Sequence, residues 1–237
     1  MEQSLTQAQR RRFEDIGYVA PFRFLADDKL ASYRRGIEKV AAENPAEILR
    51  FNYGRHPWNP WIPDIHPEFL DVIEALLGPN ILFSSMGYRI KDPGAGAYAG
   101  WHQDEFTLRY DPIAVTCLFA FTPLTKENGC LEVIPGSHKN GLLPHATKTS
   151  RDNYLSQGQH ISVPVDETKA VPVELKPGHA MIFDQRLIHG SGINRSNGRR
   201  IACFADFCPT HSRRGDGKRV KAVLVRGVDA FGNFDIE

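Results

Sequence analysis

Gly78-Pro79-Asn80-Ile81-Leu82-Phe83-Ser84-Ser85-Met86-Gly87-Tyr88-Arg89-Ile90 is the stretch in which this chain changes character. Gly-Pro stops a helical pattern, and the first of many short apolar runs rich in β-branched and aromatic residues follows it. Residues 114–121, 130–134, 170–175, 180–184, 201–207 and 222–225 have the same composition. Turn signals such as Asp92-Pro93-Gly94, Asn128-Gly129, Pro135-Gly136 and Pro177-Gly178 separate them. Many short strands with regular turns predict a sandwich or barrel.

Upstream of Gly78 the period is helical. Thr6-Gln7-Ala8-Gln9 reads as a capping box opening a short helix that ends at Gly17, and Tyr18-Val19-Ala20-Pro21-Phe22 reads as a strand. From about Asp27, Leu30, Tyr33, Ile37, Val40 and Ala41 share one helical face, and Pro45 marks its end. A third helix fits residues 67–77, with Pro67 in its first turn and Phe69, Leu70, Ile73, Leu76 and Leu77 on its apolar face. The expected plan is one domain over residues 1–237: 1–79 mainly helical support, 80–237 a mainly β barrel core. Residues 138–168 are polar without periodicity and read as a lid, a binding loop or a disordered segment.

Composition excludes several classes. Hydrophobic residues make up 41% and charged residues 24%, and the net charge of +1 gives no argument for nucleic acid or a membrane surface. No apolar run approaches a membrane span and Met1-Glu2-Gln3-Ser4 begins no signal peptide, so a cytoplasmic protein is expected. Cys117, Cys130, Cys203 and Cys208 form no C-x-x-C pair and read as reduced core cysteines.

The chemistry concentrates at Trp101-His102-Gln103-Asp104 and, much later, His189-Gly190-Ser191. His102 and Asp104 are two residues apart, so an extended strand would send both side chains from one face. Two His and one carboxylate, with positions left open, are the facial triad of non-haem Fe(II) oxygenases.

These blocks, together with Glu127-Asn128-Gly129-Cys130-Leu131, Pro135-Gly136-Ser137-His138-Lys139 and His189-Gly190-Ser191-Gly192 followed by Arg199-Arg200, resemble the phytanoyl-CoA dioxygenase family in order and spacing. The resemblance runs from about residue 10 to the C-terminus, where Leu224-Val225-Arg226-Gly227-Val228-Asp229 is also similar to many bacterial members. It implies a double-stranded β-helix, a jelly-roll or cupin-like barrel, that binds Fe(II) and 2-oxoglutarate and uses O2. By motif position, His102, Asp104 and His189 would be the iron ligands. Arg200 would anchor the far carboxylate of 2-oxoglutarate, with Ser191 donating a hydrogen bond to it. Arg199 competes with Arg200, and strand parity does not separate them because both faces are partly apolar. Where many relatives carry a tryptophan near the cosubstrate, this chain has Leu118; Arg89 and Lys91 on the preceding strand could supply charge there instead. Halogenases of the family replace the metal carboxylate by Ala or Gly, so the resemblance, with Asp104 present, implies oxygenation, desaturation or oxidative ring closure rather than chlorination.

Substrate clues are thinner. His56-Pro57-Trp58-Asn59-Pro60-Trp61 is an aromatic, proline-stiffened loop from which His56 and Trp58 could wall the site. Arg213, in the basic segment 211–221, could meet an anionic group, although short charge runs are usually solvated. His66, His138, His145, His160, His179 and His211 read as structural. The expected function is Fe(II)- and 2-oxoglutarate-dependent oxidation of a small, natural-product-like molecule. The alternative is a cupin-like barrel that binds a ligand or metal without turnover, which would need no carboxylate anchor beside a metal triad.

Overall fold

The computed structural model of the protein describes residues 5–43 and 65–236, except 113, 149, 151, 154 and 156. Helix α1 (Gln7–Ile16) begins with the anticipated box: Thr6 accepts from the Gln9 backbone N–H while the Gln9 side chain reaches back to the cap. Gly17 ends it at φ 84°, a left-handed position that costs glycine nothing. Strand β1 (Tyr18–Arg23), α2 (Asp27–Glu43) and α3 (Pro67–Leu77) follow as read. Pro45 lies outside the described residues.

Seven strands form the main sheet. In the order of the sheet they are β1, β10 (His179–Asp184), β5 (Val115–Ala120), β12 (Arg200–Pro209), β2 (Ile81–Lys91), β14 (Lys221–Arg226) and β15 (Asp235–Ile236), antiparallel except for β14–β15. A second antiparallel sheet runs β3 (Ala99–His102), β11 (His189–Ser191), β6 (Leu131–Val133), β9 (Val171–Val173). All the long apolar runs are strands. The short β3 and β11, which carry the two histidines, had only their motif to mark them.

The apolar runs are continuous because the main sheet is covered on both faces. Ile201, Cys203, Ala205 and Phe207 of β12 pack, with Cys117 and Phe119 of β5, against Leu30 and Ile37 of α2 and Phe69, Val72 and Ile73 of α3. On the opposite face Leu118, Ala120, Met181, Phe183 and Ala202 meet Leu131, Val133 and Val173 of the second sheet. The molecule is therefore helices, large sheet, small sheet, with the histidines on the small sheet.

The 138–168 stretch is more ordered than its composition suggested. It contains a 3-10 turn (Ser137–Asn140), a pair of short strands β7 (His145–Thr147) and β8 (Gln159–Ile161), and a second 3-10 turn (Glu167–Lys169). Three-residue strands are too short for a period-2 pattern to register. Among the described residues no helix is long and apolar enough to cross a membrane.

Phe119 is fully buried, with its ring 4.6 Å from that of Phe24 and 5.4 Å from that of Phe69. We expect Phe119→Ala to lower the unfolding free energy by about 3–5 kcal/mol in denaturant titrations, because the helices cannot collapse fully into the space.

Candidate metal centre and its cavity

The β3–β11 register sets His102 opposite His189, and the two rings lie 4.1 Å apart. Each ring is aimed by its own backbone. His102 Nδ1 lies 2.8 Å from the Gly100 carbonyl and His189 Nδ1 lies 2.9 Å from that of Leu187. A carbonyl only accepts, so Nδ1 carries the proton and Nε2 presents its lone pair. Both Nε2 atoms are 3.6 Å from Asp104 Oδ1.

Asp104 is not on a strand as expected. Strand β3 ends at His102, and Asp104 has helical backbone (φ −65°, ψ −31°) as the cap of a one-turn helix α4 (Glu105–Leu108). The turn, rather than strand alternation, brings the carboxylate back to the histidines. The ligand atoms of His102, Asp104 and His189 all lie within 4.8 Å of one another, a group that could hold a metal ion. Two imidazole nitrogens and one carboxylate oxygen, with one side open to a cavity, are the donor set of a non-haem Fe(II) site.

Protonation states suit this. Burial, reinforced by His102, pushes His189 down to about 4, so its imidazole is neutral at neutral pH. Burial alone would raise Asp104, but the two histidines and the Thr116 hydroxyl outweigh it and hold the carboxyl at about 2.

Conserving this geometry falls to groups around the cluster. Gln103, fully buried, donates to the Gly141 carbonyl (2.8 Å) and the Arg186 carbonyl (2.6 Å) and accepts from the Leu143 N–H (2.8 Å). Ser137 Oγ accepts from the Ile188 N–H at 2.8 Å, one residue before His189. Pro135-Gly136-Ser137-His138 thus fixes the entry to β11, and His138 itself is structural, with Nε2 3.1 Å from the Glu14 carbonyl. His145 is structural too: its Nε2 accepts from the Gln103 N–H at 3.1 Å and its ring stacks on Phe106.

Behind Asp104, the Thr116 hydroxyl lies 3.1 Å from Asp104 Oδ2 and 2.7 Å from Oδ1 of buried Asp206. Gln185 Nε2 donates to Asp206 at 3.2 Å, and the Ser85 hydroxyl bonds its other oxygen. Burial, with Asp104 adding repulsion, raises Asp206 to about 7. Sequence reasoning passed over Thr116 and Asp206, although polar residues inside otherwise apolar runs were a visible signal.

A cavity of about 450 Å³ opens beside the cluster. Arg200, Ser191 and Lys91 line it, as do Asp206, Phe204 and Arg89. Arg200 is 3% exposed, donating to the Gly129 carbonyl at 2.6 Å, whereas Arg199 is exposed and ion-paired with Asp92. Gly129 (φ 72°) lies against the loop after β11: a Cβ there would sit 2.2 Å from the Gly192 carbonyl oxygen. Leu118 is buried in the inter-sheet core and is not among the residues lining the cavity. Leu155 and Gln159 bring the 138–168 segment to the cavity wall. Of the anticipated substrate residues, His56 and Trp58 lie outside the described residues. Arg213 is exposed on β13 (Arg213–Arg214), which pairs with β4 (Tyr110–Asp111), and it is not among the residues lining the cavity.

Comparison with known proteins follows the same lines. The sequence profile of the phytanoyl-CoA dioxygenase (PhyH) family matches residues 13–202. Peroxisomal phytanoyl-CoA dioxygenase of Homo sapiens is 26% identical over 233 residues, covering 86% of this chain and 68% of that protein. Among solved structures, the apo form of ThoJ, described as a non-heme monooxygenase, has a TM-score of 0.80 at 29% identity and covers 96% of this chain and 86% of that one. A ThoJ–nickel complex, with the same coverage, has a TM-score of 0.71 at 26% identity.

Two outcomes follow for the cluster. Thr116→Val should weaken divalent-metal binding about 10–100-fold in chelator competition, since it frees the outer oxygen of Asp104. In the metal-free protein, the unfolded chain protonates His189 near pH 6.5 and the folded chain only near 4. Relative to a His189→Asn variant, the wild-type protein should therefore lose a few kcal/mol of stability as pH falls from 6.5 to 4, and none above 6.5, in thermal unfolding across pH.

Proposed function

Because the chain belongs to the phytanoyl-CoA dioxygenase (PhyH) family, we propose that His102, Asp104 and His189 hold the Fe(II) of a 2-oxoglutarate-dependent dioxygenase and that Arg200 and Ser191 anchor its cosubstrate. The two sheets are then the halves of a double-stranded β-helix, in one domain over residues 1–237. The reaction is oxidation of an unactivated C–H of a small molecule, by hydroxylation or oxidative ring closure, and a natural product is the substrate class that fits best. The observation that carries this reading is one cavity with a two-histidine, one-carboxylate cluster and a buried arginine on its wall.

Bound there, Fe(II) and 2-oxoglutarate supply O2 activation, with succinate and CO2 as co-products. The residues do the rest. Both rings turn Nε2 inward, and His189 enters as a neutral imidazole, so no proton has to leave it for metal to bind. Asp104 offers one oxygen to the metal while Thr116 engages the other. Arg200 stays charged when buried and its fork suits a carboxylate. The cavity volume accommodates a small second molecule beside the cosubstrate.

Anaerobic addition of Fe(II) and 2-oxoglutarate should give a visible metal-to-ligand charge-transfer band, and turnover should release succinate. Asp104→Ala should lose oxygenase activity. Arg200→Ala should raise the 2-oxoglutarate requirement about tenfold or more, the cost of a lost charge-assisted bond, while Arg199→Ala leaves it unchanged. A wild-type protein that forms neither the band nor iron-dependent succinate with any candidate substrate is a binding barrel, not an enzyme of this class.

A further inference from the structure

Lys91 is the last residue of β2 and faces Arg200 across the β2–β12 ladder. Both side chains turn to the inter-sheet side and both line the cavity, at 1% and 3% exposure. Lys91 Nζ lies 2.5 Å from Ser191 Oγ and 3.2 Å from the Ser191 carbonyl, and it also bonds the Gly192 carbonyl. Arg200 Nη1 lies 3.4 Å from the same Ser191 Oγ. Ser191 in turn donates its only hydroxyl proton to the Gly129 carbonyl at 2.9 Å. The Ser191 hydroxyl proton is thus committed to Gly129, so Ser191 serves the cosubstrate site by accepting from its two basic side chains rather than by donating to the carboxylate.

Lys91 therefore meets carbonyls and a hydroxyl, which orient an ammonium without neutralising it. A buried ammonium beside a guanidinium is costly unless an anion joins them. Resting on the cosubstrate reading above, we propose that Lys91 is the second cation of the 2-oxoglutarate site: the fork of Arg200 binds the far carboxylate, Lys91 adds its charge beside it and exchanges one of its carbonyl partners for the carboxylate, and Ser191 holds the two cations in place. This pair would set the preference for a 2-oxo acid that ends in a second carboxylate.

The electrostatics add a consequence. Burial first, then Arg200 on β12, lower Lys91 to about 6, while Cys130, just before β6, and Glu132 on it act in the opposite direction. The unliganded amine is then largely neutral above pH 7, and an arriving carboxylate returns its proton. Binding coupled to proton uptake weakens as pH rises, by up to about tenfold per pH unit until the amine of the complex itself titrates.

The test is equilibrium binding to the anaerobic Fe(II)-loaded protein, read by the charge-transfer band and by calorimetry in buffers of different ionisation heat. Lys91→Met keeps the length and apolar stem of the side chain. We expect it to weaken 2-oxoglutarate binding at least tenfold, to abolish the dependence on pH and buffer, and to leave the affinity for 2-oxopentanoate, which lacks the far carboxylate, unchanged. Fe(II) affinity measured alone reports whether the variant keeps its fold. Equal losses for both 2-oxo acids, or no loss for either, overturn the role of Lys91 while the cosubstrate reading stands. A wild-type protein that binds no 2-oxoglutarate at all overturns both.

Discussion

The placement of His102 opposite His189 in a ladder of three to four residues is the constraint on which the rest of the site depends. A slip of one residue would send one ring to the far side of the sheet and dissolve the cluster. So short a ladder cannot fix its own register by apolar pairing. Outside bonds fix it instead: Gln103 ties the end of β3 to the backbone at Gly141, Leu143 and Arg186, and Ser137 holds the N–H that leads into β11. Gly190 completes the fit, since a Cβ there would lie 3.2 Å from the Trp101 ring. The middle residue of His102-Gln103-Asp104 is therefore as much a part of the cluster's geometry as its neighbours, although its side chain bonds the backbone at Gly141, Leu143 and Arg186.

Strand β12 supplies the complementary half. Its even-numbered residues Arg200, Ala202, Phe204 and Asp206 face the second sheet, while Ile201, Cys203, Ala205 and Phe207 face the helices. Arg200 and Asp206 lie six residues apart, about 20 Å along an extended strand. Each has a partner on β2 at the same level, Lys91 for Arg200 and Ser85 for Asp206. The cavity wall is consequently polarised, with cations at one end and an acid at the other, and Phe204 between them. A dianionic cosubstrate and a divalent metal impose a direction of that kind on anything that binds both.

Most of this fold was legible because burial on both faces writes strands as uninterrupted apolar runs and burial on one face writes helices with a 3.6 period. β12 and β5 illustrate the first case, α3 the second. The same double burial made Arg199 and Arg200 indistinguishable by parity in the sequence; only the ladder with Lys91 separates the exposed ion pair with Asp92 from the cavity residue. Asp104 reached the expected cluster by an unexpected route, since a helical turn can bring residue i+2 back as well as a strand can. β7 and β8 were unreadable because strands of three residues are too short to show a period. Thr116 and Asp206 were readable and missed: a hydroxyl and a carboxylate in runs otherwise apolar call for a buried partner, and each is the other's.

The layering also separates where stability and function reside. The helix-facing side of the main sheet is a continuous apolar core of close-packed rings, such as Phe24, Phe69, Phe119 and Phe121. The inter-sheet side has an apolar half, but its other half holds buried Lys91, Arg200 and Asp206, whose desolvation opposes folding and is offset only in part by their hydrogen bonds to carbonyls, hydroxyls and Gln185. Substitutions on the first side should act through stability alone. On the second, replacing a buried charge by an apolar residue of similar shape removes a desolvation cost along with a binding group, so loss of function need not be accompanied by loss of stability. The opposing directions of these two effects distinguish a cavity built to be filled from a core that happens to contain polar atoms.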